Sequence, residues 1–185
     1  MNSSIFVWLI YALWIIYVVY MTLATIGVKR DTHSHLVQSF VLLLAIIVSF
    51  LLPHLPIFRF LSFAPGSPVL SSLGVIICIA GIVVSVQARR HLGRNWSQTV
   101  AVKEDHELVT SGPYRYIRHP MYAGGLASCI GSAMVCGGVW IFLFFILGGL
   151  FLWRVGAEDE LLARQFPKEY PDYKKRTKKL IPFVW

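Results

Sequence analysis

The chain has 185 residues, of which 56% are hydrophobic and 14% are charged, and its formal net charge is +8. A soluble globular domain carries roughly 25% charged residues, so this composition excludes an ordinary soluble protein. The mean hydropathy of +0.64 and the grouping of apolar residues in long blocks indicate an integral membrane protein.

Five apolar blocks are long enough to be membrane-spanning helices, since a helix needs about 20 apolar residues to cross roughly 30 Å of hydrocarbon. The sequence therefore predicts an all-α polytopic membrane protein with about five spans, over residues 5–28, 36–52, 69–88, 120–136 and 139–153. We expect one domain, residues 1–185, because the spans leave no room for a second. Gly137 and Gly138 between the last two blocks predict a tight helical hairpin, and Pro120 suits the first position of a helix.

Lysine and arginine are distributed unequally between the segments that join the blocks. Of the 17 Lys and Arg residues, all but Arg59 fall just after the first block, in segment 89–118, or in the tail from Arg154 onward. Because basic residues stay on the cytosolic side, we expect the N-terminus outside and both segment 89–118 and the C-terminus in the cytosol. The basic borders favour contact with anionic membrane lipids. Nucleic-acid binding is not expected, since no binding module is recognisable.

Cys78, Cys129 and Cys136 lie in predicted spans, and their spacing fits neither a metal site nor a disulfide framework. We expect them to be small core residues. The six histidines show no metal-site pattern either, so no metal is expected.

The tail after the fifth block has the pattern of an amphipathic helix. Apolar and aromatic residues recur at the spacing of one helical face, at Leu162, Phe166, Tyr170 and Tyr173. Pro167 and Pro171 predict that this helix is broken. Most of the tail is expected to lie on the membrane surface.

Arg154 and Glu158 stand four residues apart at the end of the fifth block. They share one helix face if the helix continues past the membrane border. Charged groups at that depth are costly unless they are paired or used. From spacing alone, a border arginine with a neighbouring carboxylate partner is the favoured interpretation.

The densest polar stretch is segment 106–122, HELVTSGPYRYIRHPMY, which lies between two apolar blocks. With Arg154-x-x-x-Glu158 and QFPKEYPDYKKR downstream, it resembles the isoprenylcysteine carboxyl methyltransferase family over roughly residues 94–182. The short length and five predicted spans look like the compact prokaryotic form. One departure is Pro167, where family members usually have Gly.

The resemblance implies transfer of the S-adenosyl-L-methionine methyl group to the C-terminal carboxylate of a prenylated cysteine. The acceptor would enter from the bilayer and the cofactor from the cytosol. The implied cofactor contacts are His106, Glu107, Leu108, Val109, Tyr114, His119, Pro120, Met121, Tyr122 and Glu158. Arg154 matches the arginine that the family uses at the substrate, which makes it the implied catalytic and substrate-binding residue.

Physical arguments are compatible with these assignments. No G-x-G-x-x-G follows a strand pattern, so a Rossmann-type site is excluded. The helix start at Pro120, with Arg118 and His119, suits an anion such as the cofactor carboxylate, and Tyr114 and Tyr122 suit a planar ring. Each residue also has a structural interpretation: a helix cap for His119, a border residue for Arg118, and interfacial tyrosines.

Other functions remain open from the sequence. The acceptor is either a carboxylate such as a prenylated cysteine or another lipophilic thiol, amine or phospholipid. Membrane reductases that use a nicotinamide cofactor share the RHPxY element, although HELVTSG and the Arg154/Glu158 pair argue against them. A non-catalytic binding protein on the same scaffold is a third class, and the oligomeric state is not predicted.

Overall fold

The structure is a computed structural model that describes residues 3–24, 40, 43–44, 46–52, 55, 67–96 and 107–181. Its helices are α1 (Ser3–Leu23), α2 (Pro68–Leu92), α3 (Pro120–Cys136), α4 (Gly138–Gln165) and α5 (Tyr170–Arg176), and two 3-10 turns span Gly93–Asn95 and Gly112–Arg115. Within the described ranges the only extended pairing is one parallel bridge between Ile117 and Lys178. The predicted all-α class is confirmed.

Among the described residues, three helices are long and apolar enough to cross a membrane, namely Ser4–Leu23, Pro68–Leu92 and Gly138–Gln165, and α3 is a shorter apolar helix. The protein is therefore an integral membrane protein. The limits of α3 coincide with the predicted span 120–136, whereas α4 continues well past residue 153. Only part of the predicted span 36–52 is described, and there residues 46–51 are helical. The single-domain organisation stays a prediction.

Two compact units share the helices: one comprises Met1–Ile82 and Ala127–Phe145, the other Val83–Leu126 and Ile146–Trp185. In the first unit a Cβ on Gly74 would lie 2.7 Å from the carbonyl oxygen of Gly131. The backbones of α2 and α3 therefore touch, as small residues allow between apolar helices. Cys78 and Cys129 are fully buried, which confirms them as core residues.

The hairpin between α3 and α4 turns on Gly137, whose φ of +82° is in the left-handed region. Side chains with a Cβ rarely adopt this conformation. The Gly137 amide donates to Ala133 O at 2.9 Å, and its carbonyl accepts from the Trp140 amide at 3.1 Å. The predicted tight hairpin is confirmed.

The second unit contains the tail. Helix α4 ends at Gln165 and α5 starts at Tyr170, so the predicted break at the prolines is confirmed. The prediction that most of the tail lies on the membrane surface is wrong for Tyr170 and Tyr173, which are 1% and 3% exposed. Their rings pack against the protein, because Tyr173 Oη donates to Tyr114 O at 2.8 Å and Tyr170 Oη donates to Asp159.

Candidate functional site

The polar segment of the second unit is held by the end of α2. Gly112 has φ +58°, and a Cβ there would lie 2.4 Å from the His91 ring. Glycine is therefore required, both for the backbone conformation and for the approach of His91. Ser85 Oγ donates to Met121 O at 2.9 Å, which ties the first turn of α3 to α2.

Tyr122 lies in the first turn of α3 and faces α4. Its ring stacks on Phe151 with the centroids 4.7 Å apart and an interplanar angle of 26°. Its hydroxyl donates to Glu158 Oε1 at 2.6 Å. The stack fixes the ring plane, so the hydroxyl is directed at the carboxylate.

Arg154 and Glu158 are brought together because α4 continues past the apolar block. Arg154 Nε donates to Glu158 Oε1 at 2.8 Å. The two side chains keep 28% and 23% of their surface exposed, so the pair is neither fully buried nor fully solvated. Hydrogen bonds of this charge-assisted kind are shorter and stronger than neutral ones.

His119 lies between two carboxylates. Its Nε2 is 3.0 Å from Asp159 Oδ1 and its Nδ1 is 3.4 Å from Glu158 Oε2, and the side chain is 5% exposed. Burial lowers the pKa of His119, but its hydrogen bonds to Asp159 and Glu158 and their charges outweigh burial, so the net pKa is raised above its ordinary value. The arrangement favours an imidazolium that donates from both ring nitrogens.

Asp159 is a site residue that the sequence interpretation missed. It accepts from Tyr170 and faces both His119 and Arg118, whose Nε is 3.5 Å from Asp159 Oδ1. Burial, and then the hydrogen bond to Asp159, raise the pKa of Tyr170, so its hydroxyl stays protonated and remains a donor. The only sequence signal was a second acidic residue directly after Glu158, and that position points to a different side of the helix.

Arg118 has a role that neither sequence interpretation anticipated. Its Nη1 donates to Thr177 O at 2.6 Å and to Lys174 O at 3.3 Å. The amides of Arg118 and His119 donate to Lys178 O and Lys179 O at 2.8 and 3.1 Å. Arg118 therefore fastens the tail to the segment Arg118–Pro120, with its Nη1 directed at tail carbonyls.

The remaining predicted cofactor contacts differ in their exposure to solvent. Glu107 is exposed and its amide donates to Asn95 Oδ1 at 3.3 Å, while Leu108 and Val109 are half-buried. Tyr114 is buried, and burial raises its pKa. His106 lies outside the described residues.

The structure thus gathers one charged cluster from α3 and the two residues before it, from α4 and from α5. Pro120 and Met121 form the buried to half-buried start of α3 next to it. We call the charged cluster the 158 cluster; its members are Arg118, His119, Tyr122, Arg154, Glu158, Asp159 and Tyr170.

Comparison with known proteins places these residues in a family. The sequence profile of the isoprenylcysteine carboxyl methyltransferase (ICMT) family matches residues 74–164. The chain belongs to this family. All of the 158 cluster except Tyr170 lies within the matched range.

Curated ICMT relatives cover much of the chain. The protein-S-isoprenylcysteine O-methyltransferase of Saccharomyces cerevisiae is 31% identical over 151 residues, which are 80% of this chain and 62% of the yeast protein. A probable protein-S-isoprenylcysteine O-methyltransferase of Oryza sativa subsp. indica is 28% identical, over 80% of this chain and 75% of the rice protein. The chain therefore spans about three fifths of the yeast relative's length.

A solved ICMT structure supports the fold. The eukaryotic intramembrane Ras methyltransferase ICMT aligns with a TM-score of 0.69 and 24% sequence identity, over 91% of this chain and 63% of that one. This likeness establishes the shared membrane fold of the family.

Proposed function

We propose that this protein transfers the methyl group of S-adenosyl-L-methionine to the carboxylate of a lipophilic acceptor such as a prenylated cysteine. The observation that carries the proposal is the convergence of Tyr122, Arg154 and His119 on the Glu158 carboxylate. The chain belongs to the ICMT family, and the relatives above are named as methyltransferases of this kind. This supports methyl transfer as the chemistry of the side chains around Glu158.

The Glu158 carboxylate is partly exposed, and it suits the polar groups of the cofactor. A carboxylate accepts hydrogen bonds from ribose hydroxyls or an amino group, and the Tyr122–Phe151 stack offers an aromatic surface beside it. The proposed cofactor contacts are His106, Glu107, Leu108, Val109, Tyr114, His119, Pro120, Met121, Tyr122 and Glu158. The cofactor supplies an electrophilic methyl group on a positively charged sulfur.

Arg154 is proposed to orient the acceptor. A guanidinium binds a carboxylate as a planar fork and cannot accept its proton. The acceptor carboxylate is already ionised at neutral pH, so no general base is needed. Arg154 would hold the acceptor with one carboxylate oxygen toward the methyl group of the bound cofactor, where the new C–O bond would replace the S–CH₃ bond and a neutral thioether would leave. Holding the reactants in line contributes about 7–11 kcal/mol.

His119 favours a carboxylate over an amine acceptor. Methylation of a protonated amine first requires a base to remove a proton. Both ring nitrogens of His119 face carboxylates, and its pKa is raised, which disfavours it as that base. A carboxylate acceptor makes no such demand.

The site is proposed to face the cytosol, with the N-terminus outside and the C-terminus inside. The support is the distribution of basic residues, which are concentrated in segment 89–118 and in the tail. A site at this border serves a lipophilic acceptor from the bilayer and a polar cofactor from the cytosol.

The test is a labelled-methyl assay on the purified protein, with a small prenylcysteine and a lipid extract as alternative acceptors. Cofactor binding is measured in parallel on Glu158→Gln and on Glu160→Gln, a matched change two residues away on the same helix. We expect methylation of the prenylcysteine and at least tenfold weaker cofactor binding in Glu158→Gln alone, since one charge-assisted acceptor is lost. Binding of a reduced nicotinamide in place of S-adenosylmethionine would refute the proposal.

A further inference from the structure

A second polar feature of the second unit lies apart from the 158 cluster. It is an open groove of about 830 Å³ between the end of α2 and the 3-10 turn Gly112–Arg115. We call it the basic groove; its lining residues are Val84, Gln87, Arg90, His91, Gly112, Pro113, Arg115 and Tyr116. Among the residues that the structure describes, the lining contains no member of the 158 cluster and no acidic residue.

The donors of the basic groove suit an anion. Arg90 and Arg115 bring two guanidinium groups, and neither has an ion-pair partner within the part of the chain that the structure describes. His91, Gln87 and Tyr116 add an imidazole, an amide and a phenol. Arginine pairs with phosphate through two parallel hydrogen bonds, so phosphate is the anion that this set of donors matches best.

Both walls of the groove are held in place. Gly112 lies directly against His91, where a Cβ would come within 2.4 Å of the ring. On the turn, Pro113 O accepts from the Tyr116 amide at 3.3 Å, and Tyr116 O accepts from the Lys178 amide at 3.3 Å. The groove is therefore built into the packed unit.

The α2 wall changes in polarity along the helix. Val84, Gln87 and His91 follow one helical face at spacings of three and four residues, from apolar through amide to imidazole, and the guanidinium of Arg90 lies at the same end as His91. Val84, at the apolar end of this wall, is aliphatic and 36% exposed. A phospholipid has the same order, from acyl chain to phosphate.

We propose that the basic groove binds the phosphate of an anionic phospholipid, with the acyl chains against the Val84 end of the wall. Basic pockets beside membrane helices bind acidic lipid headgroups by this combination of charge and depth. A free phosphate ion shares the headgroup's chemistry but would leave most of the 830 Å³ empty and would not use the apolar wall. The proposal is independent of the proposed methyl transfer.

The test compares lipid retention by the full chain in nanodiscs of phosphatidylglycerol or of phosphatidylcholine, measured by native mass spectrometry after detergent extraction. The groove variant is Arg90→Gln/Arg115→Gln. Its charge-matched control is Arg164→Gln/Arg176→Gln, two exposed arginines outside the groove. We expect phosphatidylglycerol to bind at least tenfold more weakly to the groove variant, since each basic residue near an anionic surface contributes separately, and no change in the control.

Three outcomes overturn the proposal. The first is equal loss in both variants, which would show diffuse charge attraction. The second is equal retention of phosphatidylcholine by the unaltered protein. The third is full competition by millimolar inorganic phosphate, which would mark a free-phosphate site. If the double variant fails to fold, lipid retention is measured on the single variant Arg115→Gln, at an exposed position, and the same outcomes apply. No cofactor or methyl acceptor is present, so failure here leaves the proposed function untouched.

Discussion

Helix α4 carries two arginine–glutamate pairs at the same four-residue spacing. Arg154 Nε is 2.8 Å from Glu158, and both side chains are less than one third exposed, at 28% and 23%. Glu160 and Arg164 are 4.0 Å apart, and their side chains are 77% and 81% exposed. Identical spacing therefore produces two different environments on one helix.

The difference comes from what surrounds each pair. Glu158 also accepts from Tyr122 and faces His119, so its charge is balanced by several fixed groups. The pair between Glu160 and Arg164 is solvated, and exposed pairs of this kind contribute about 0–1 kcal/mol and are screened by salt. Removing one partner of a buried pair leaves an uncompensated charge, which costs far more. We therefore propose that Arg154 and Glu158 belong to the functional site, whereas Glu160 and Arg164 form an ordinary helix-surface contact.

The largest expected effect is on methyl-transfer activity, and it distinguishes Arg154 from Arg164. Arg154→Gln should lower methylation of a prenylcysteine about 100- to 1000-fold, the usual cost of losing one preorganised donor at a reacting group. Arg164→Gln should leave the rate within twofold. The measurement is initial rate with labelled S-adenosylmethionine at saturating cofactor.

Arg154→Lys sharpens this comparison, because it keeps the charge and removes the fork. We expect it to remain severely impaired. Near-normal activity in Arg154→Lys would mean that only charge is needed at this position, and equal losses in Arg154→Gln and Arg164→Gln would remove the distinction between the pairs.

The next effect is on stability and concerns the two acids that follow Glu158. Asp159→Asn should lower the free energy of unfolding in detergent by about 3 kcal/mol, because His119 and Arg118 lose a buried counter-charge. Glu160→Gln should change it by about 0.5 kcal/mol or less. Denaturant unfolding in micelles measures both, and similar values for the two variants would contradict the assignment of Asp159 to the core of the unit.

The smallest effect is the pH dependence of that stability. The folded-state pKa of His119 is raised by Asp159 and Glu158 against the opposing effect of burial; Arg118 and Tyr122 are its other polar neighbours. Its contribution is therefore complete below the ordinary histidine pKa of about 6.5 and is lost as pH rises through the raised value.

Thermal unfolding of the protein in detergent at pH 6 and above neutral pH measures this pH dependence of stability. We expect the midpoint to fall as pH rises, and we expect His119→Gln to flatten that part of the profile. A midpoint that rises with pH in the unaltered protein would show that His119 is neutral between its two carboxylates.

Much of this architecture was readable from local signals. Pro120 and the Gly137–Gly138 pair predicted the limits of α3, because proline and glycine restrict or extend the backbone whatever surrounds them. Pro167 and Pro171 predicted the break before α5 for the same reason. The spacing of Arg154 and Glu158 predicted a shared helix face, and α4 continues far enough to make that true.

Other features could not be read locally. The sequence pattern of the tail predicted an apolar face but not what the face would contact, and Tyr170 and Tyr173 pack onto the protein. Asp159 was indistinguishable from other acidic residues near the helix end. Arg118 was expected to suit an anion or the membrane border, whereas its Nη1 donates to the carbonyl of Thr177, 59 residues away along the chain.

The sequence by itself determined the membrane class, the limits of α3 and the family, because hydropathy, backbone restriction and motif order are properties of neighbouring residues. Only the tertiary structure decided which charges are paired, which are buried and which line the basic groove. The reason is physical: burial and ion pairing depend on groups that are distant in the chain. The pairs Arg154–Glu158 and Glu160–Arg164 have the same spacing, and the fold places different groups around them.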